Sequence, residues 1–323
     1  MQATGLSNGV NKMALPSHTF YRSNLIFFLA LICGAFLPQG FQIGKVLILP
    51  ALIVIITITI LRFPRGFFRH PGSLFYSSMQ GNIMNYLVLG NFIILAGAFL
   101  IRKQELWIGI VLVAAMPSSL EIITLGNLLR VEKNYIFTSL AGTYLGTLLI
   151  APLVAFCFLK YIHLNYWNII LLILGLIFLP LLLSRIIIDK GWDKIIEKYE
   201  GAAIDFSYFI VFYAITANSR NFLLNWSFDL LFISLIAFVS TFLFYFMIRN
   251  IGFYLHEEEN KINFFILLGT MKDCGLAGAI ALMVFSPETA IPPLMFAVFT
   301  FIYMNWIKYK TRHITGSNNI QKT

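Results

Sequence analysis

The sequence predicts an all-α polytopic membrane protein with about ten transmembrane helices, and three observations predict it. Hydrophobic residues make up 59% of the chain and charged residues 11%, whereas soluble domains are about 25% charged. Charge-free apolar stretches recur at residues 23–44, 46–61, 71–101, 134–159, 230–248 and 289–307, each near the roughly 20 residues that a spanning helix needs. Lys and Arg then fall mostly on one side of the map these stretches define, the asymmetry that orients membrane proteins.

Apolar runs read against their breakers place spans at 24–42, 45–62, 82–101, 105–130, 134–160, 166–187, 204–222, 227–249, 261–286 and 289–308. With the N-terminus in the cytoplasm, 17 basic residues lie inside, while Lys45, Arg102, Lys103, Lys160 and Arg220 lie outside and Lys272 lies within a span. This predicts both termini in the cytoplasm of a multi-pass protein of the cell (inner or plasma) membrane, with the lipid bilayer as a partner.

Residues 1–22 form a polar N-terminus without the apolar core or small-residue cleavage site of a signal peptide. Residues 23–160 hold a first set of five helices and 166–308 a second, followed by a cytoplasmic tail at 309–323. Inside the second set, the mixed-charge run DKGWDKIIEKYEG predicts a cytoplasmic loop at about 189–203. An odd number of helices per half inverts the second half relative to the first, the arrangement many secondary carriers use for alternating access. Residue-level identity between the halves is weak, so the repeat follows from topology.

Two spans are interrupted at equivalent places in the halves. In the fourth, LWIGIVLVAAM meets Pro117, Ser118, Ser119, Leu120 and Glu121 before IITLGNLL resumes; proline removes a backbone donor and clashes with the turn before it. In the ninth, NFFILLGTM meets Lys272, Asp273, Cys274 and Gly275 before LAGAIALMVF resumes. Paired interruptions point to a binding site near the bilayer midplane. A charge at the centre of a span costs about 2.5–3.5 kcal/mol on insertion scales, so such residues are seldom idle. The fourth and ninth helices are therefore expected to cross at their breaks.

Other classes are disfavoured. The net charge of +9 is accounted for by orientation, and no basic stripe with interleaved aromatics suggests nucleic acid. Cys33, Cys157 and Cys274 lie in apolar segments without metal-ligand spacing, and no cofactor is expected. No catalytic residue is expected: HExxH and a Gly-x-Ser-x-Gly elbow are absent, Asp273 lacks the context of an intramembrane aspartyl protease, and the five histidines fall at or outside span ends. No ring of like charge suggests a channel. Gly142 and Gly146 form a GxxxG expected to pack helices, and Tyr21, Trp107, Tyr161, Trp167, Trp226 and Trp306 are expected as interfacial anchors.

The runs GIVLVAAMPSSLEIITLGNLLR and TSLAGTYLGTLLIAPL resemble the fourth and fifth helices of the bile acid:sodium symporter family. GTMKDCGLAGAIALMVFSPETAIPPLMFAV resembles its ninth and tenth, where Gly-Met-Gln-Asn-x-Gly-Leu-Ala is usual, and GAFLP and ITANSRNFLL fit its first and seventh. The resemblance implies ten helices in a core and a panel domain, crossed broken helices, and sodium-coupled uptake of a small organic anion. AMPSS also resembles the auxin efflux carriers, a related branch ranked second.

This chain departs from the family pattern where the family binds sodium. The Ser-Asn pair of the first sodium site falls on Ile122 and Ile123, and the acidic residue before Gly-Met on Leu268. The glutamine falls on Lys272 and the substrate-facing asparagine on Asp273. Only two fifth-helix hydroxyls, Ser139 and Thr143, remain as residual sodium ligands, and hard cations want more oxygens. An ammonium carries the charge of the lost ion, so Lys272 is expected either as a tethered cation, giving proton-linked or uncoupled transport, or as half of a permanent salt bridge. Its expected partners are Glu121 across the crossover and, after it, Asp273.

Overall fold

A computed structural model describes residues 17–62, 71–158, 166–225 and 227–320. Every regular element among them is helical. α1 (Ser17–Phe36) and α2 (Phe41–Leu61) are joined by a 3-10 turn at Pro38–Gly40. α3 (Pro71–Asn82) runs through a π-helical segment, Ile83–Gly90, into α4 (Asn91–Leu100). α5 (Gln104–Ala115) and α6 (Ile122–Leu128) are two short helices separated by a break, followed by α7 (Lys133–Phe158). α8 (Tyr166–Asp189) and α9 (Asp193–Leu224) follow, then α10 (Phe228–Phe238), which passes through a second π segment, Val239–Leu243, into α11 (Phe244–Tyr254). α12 (Glu259–Thr270) and α13 (Cys274–Val284) are again short and separated, and α14 (Ile291–Ile320) completes the described chain.

The protein is an all-α membrane protein. Among the described residues, six helical stretches are long and apolar enough to cross a bilayer: Pro38–Leu61, Phe75–Leu100, Lys133–Phe158, Asp193–Leu224, Phe228–Tyr254 and Glu288–Thr311. Three shorter apolar helices accompany them, Asn24–Phe36, Gln104–Ala115 and Cys274–Val284. Their outward faces carry large apolar side chains, with Phe99 80% and Leu149 78% exposed, a surface that only lipid tolerates at this density.

The helices pack in two groups. α1, α2, α8 and α9 pack on one another, and α3 to α7 with α10 to α14 form the second group; α9 meets α13 and α14, and α7 meets α8. The GxxxG works as packing: a Cβ at Gly142 would sit 2.5 Å from Ser78 Cβ on α3, and one at Gly146 would collide with Asn82. Small residues thus bring two backbones together.

Two boundaries differ from expectation. The third helical rod begins at Pro71, not near 82, because Ser77, Ser78 and Gly81 are contact residues against α7 rather than breakers. Proline suits a first helical position, and a Cβ at Gly81 would meet Ser139 Cβ at 2.9 Å. The expected loop at about 189–203 is mostly helix, and only Lys190, Gly191 and Trp192 separate α8 from α9. Gly191, at φ +68°, takes the left-handed conformation that ends α8. Asp193 sits favourably in the first turn of α9, and mixed charge does not break a helix. The anchor positions Tyr161 and Trp226, and the N-terminal segment 1–16, lie outside the described residues.

Candidate functional site

Proline shapes the first break. The residue before a proline is pushed out of the helical region, and Met116 is extended (φ −79°, ψ 157°). α5 therefore ends with carbonyls that have no helical partner. In the second break Met271 is also extended (φ −125°, ψ 120°). The two extended stretches run antiparallel, with Ser118 opposite Lys272. The Asp273 amide donates to the Pro117 carbonyl at 2.9 Å and the Ser119 amide to the Met271 carbonyl at 3.3 Å. Each break thus satisfies the other's unwound backbone, as irregular backbone among apolar helices requires.

This pairing sorts the side chains. Neighbours along an extended stretch point to opposite sides, and residues directly opposite in an antiparallel pair share a side. Lys272 and Ser118 therefore face one way, and Ser119 and Asp273 the other. Lys272 is buried, and its ammonium donates to the carbonyls of Ala114 (2.8 Å) and Met116 (3.0 Å), with the Tyr86 ring centroid 4.7 Å away. It meets the negative end of the α5 dipole. The expected pairing with Glu121 or Asp273 is corrected: the alternation turns Asp273 away from it, and the Glu121 carboxylate is taken up by the Ser119 and Tyr208 hydroxyls. Asn85 also donates to the Met116 carbonyl, at 3.1 Å, and the buried Ser118 hydroxyl has no hydrogen-bond partner among the described residues.

On the opposite side Asp273 caps α13, accepting from the Leu276 amide at 2.9 Å, and takes a 2.6 Å hydrogen bond from the Tyr144 hydroxyl. Glu121 accepts hydrogen bonds from the hydroxyls of Ser119 and Tyr208. Ser119, Glu121 and Asp273 line a small pocket whose wall includes Lys272 and Gly275 of the second break, Tyr208 and Phe212 of α9, and Thr300 and Phe301 of α14. A second pocket of about 70 Å³ lies between α2, α7 and α8, is apolar, and reaches Leu120 and Tyr144. Tyr144 thus contributes to the apolar pocket while its hydroxyl holds Asp273.

Of the residues singled out in the sequence, Pro117, Ser118, Ser119, Glu121, Lys272, Asp273 and Gly275 come together at the crossover. Ser139 and Thr143 do not line its pocket; both are buried on α7, and their hydroxyls donate to the carbonyls of Ser77 (2.6 Å) and Leu140 (2.9 Å). With Ile122 and Ile123 as their counterparts in the resemblance, two hydroxyls do not make the oxygen cage a hard cation needs. Among the described residues no cluster of three or more His, Cys, Asp or Glu is arranged to hold a metal. Sequence reasoning missed Asn85, Tyr86, Tyr144 and Tyr208. Their signal was position: interfacial tyrosines belong at span ends, and these polar groups sit mid-helix. No protein-family model matches the chain, and no curated protein matches it either.

Proposed function

We propose that the chain is a secondary active transporter built of ten spans in two inverted five-helix repeats, and that the crossover of its two breaks is the substrate and coupling site. The observation that carries this reading is the antiparallel bridge between two interrupted helices, one from each half, with ionisable side chains sorted to its two sides. Three features recurring in order in each half support it. The first two helices of each half, α1 with α2 and α8 with α9, fall in one packing group. The third rod of each half contains a π segment, at Ile83–Gly90 and Val239–Leu243, and π segments gather at functional sites. The fourth of each half is broken.

In this reading Lys272 is a resident cation. Its ammonium sits among carbonyl oxygens and an aromatic face, the surroundings a bound monovalent ion would seek, and it replaces sodium in coupling. The resemblance implies a small organic anion as substrate. A second reading, a small organic cation, is favoured by one observation: two carboxyl groups, Glu121 and Asp273, line the pocket with Lys272, whose ammonium is held by the Ala114 and Met116 carbonyls. No enzymatic role is proposed.

Uptake into proteoliposomes of matched organic anions and cations, with and without sodium and pH gradients, tests these readings together. We expect sodium-independent uptake that loses its pH dependence in Lys272→Gln. Uptake that requires sodium, and keeps the same dependence in that variant, overturns the resident cation. The topology is tested by single cysteines at Gln104→Cys and Ile196→Cys in a background lacking the native cysteines. Labelling from opposite sides is expected, and labelling from one side overturns ten spans.

A further inference from the structure

The ends of α11 and α14 carry a second site, away from the crossover. The membrane-length stretches Phe228–Tyr254 and Glu288–Thr311 finish there together, at the end where the sequence gathers most of its basic residues. Arg249 lies one turn after Tyr245 on α11 and donates to its hydroxyl at 2.8 Å. Lys310 reaches from α14 to the same oxygen at 3.0 Å. Its ammonium also lies 4.7 Å from the Tyr245 ring centroid and 5.1 Å from that of Trp306. One hydroxyl oxygen therefore holds two cations side by side. Aromatic faces attract each cation but supply no net negative charge.

No carboxylate balances this pair among the described residues. Ion pairs formed there include Arg62–Glu200, Lys103–Glu288 and Lys261–Glu257. Glu257, close after α11 in the chain, is held by Lys261 at 2.7 Å. Two converged cations repel unless an anion joins them. The flank of the site is apolar and outward-facing, with Phe246 45% and Phe253 51% exposed. A soluble anion has no use for such a flank, whereas an acyl chain does.

We propose that Arg249, Lys310 and the Tyr245 hydroxyl bind the phosphate of an anionic phospholipid, whose acyl chains lie against Phe246 and Phe253. Arg offers a phosphate two parallel donors and Lys a point charge. Basic pockets between helices at the membrane surface bind lipid headgroups in this way. A zwitterionic choline headgroup would bring a third cation to the same place and is disfavoured. The proposal does not depend on the transport reading.

The test uses the purified full-length protein in a neutral detergent, with lipid adducts counted by native mass spectrometry in equimolar phosphatidylglycerol and phosphatidylcholine. Phosphatidylglycerol should be retained over phosphatidylcholine by on the order of tenfold, and Arg249→Gln/Lys310→Gln should reduce the preference to about twofold or less. Millimolar inorganic phosphate should not displace the lipid. Equal retention of the two lipids, or a preference unchanged in the double variant, overturns the proposal. Displacement by phosphate also overturns it, since the site would then read a free anion. Should the double variant fail to fold, Lys310→Gln alone and the wild-type lipid comparison each decide the question.

Discussion

The two interrupted helices break for different reasons. Between α5 and α6 the chain leaves the helix for six residues, 116–121, where Pro117 favours a break, although Pro50, Pro152 and Pro180 sit inside the continuous helices α2, α7 and α8. Between α12 and α13 it leaves for three, 271–273, with no proline. There the extended conformation is sustained by what it touches: the backbone bridge to the first break, Lys272 on the end of α5, and Asp273 capping α13. One break has a local contributor in Pro117 as well as the bridge, and the other has only its contacts. The asymmetry makes the second break the more fragile; it carries Lys272 and Asp273, while the first carries Glu121.

Substitutions can break or sharpen this contrast. The largest effect is expected for Lys272→Met, which keeps the volume but removes a buried ammonium and leaves the Ala114 carbonyl without its partner. Stability should fall by about 3 kcal/mol, measured by thermal unfolding in detergent. Asp273→Ala should cost about 1–2 kcal/mol by uncapping α13 and releasing Tyr144. Asp273→Asn keeps an N-capping oxygen, so its loss should be the smaller; equal losses would mean that charge, not the cap, holds the second break. The smallest effect is expected for Pro117→Ala, below about 1 kcal/mol. Residue 117 bonds through its carbonyl, which alanine retains, and the bridge to Asp273 survives. If Pro117→Ala cost more than Lys272→Met in the same unfolding series, the order of dependence between the breaks would be reversed.

Both breaks were legible because each interrupts an apolar run with residues that do not belong there, Pro117 in one and Lys272 with Asp273 in the other. Their meeting was suggested by equivalent positions in the halves. The partner of Lys272 was not legible. Composition advertises carboxylates, while the carbonyls of Ala114 and Met116 are invisible in a sequence until it is clear which helix end lies beside the lysine. Tyr144 and Tyr208 passed unnoticed for a related reason: tyrosine is common in membrane proteins, and only its depth separates an anchor from a hydrogen-bond donor. The segment 189–203 was misread because charge was taken as a break, although charged residues make good surface helix and only Gly191 supplies a turn. Gly142 and Gly146 were legible as packing because the absence of a side chain has one common use between neighbouring helices.

For the proposed transporter, the contact between Lys272 and the end of α5 also bears on what could power movement through the crossover. An ion that binds from solution and dissociates again delivers the free energy of its own gradient, about 1.4 kcal/mol for each tenfold difference in concentration. A cation on a covalent stem has no concentration on either side and delivers none. Only a proton exchanged with the bath could restore an outside source of work there. In the transport reading, without one a charged solute crossing by this route moves down its own electrochemical potential, set by its concentrations and by the voltage across the membrane.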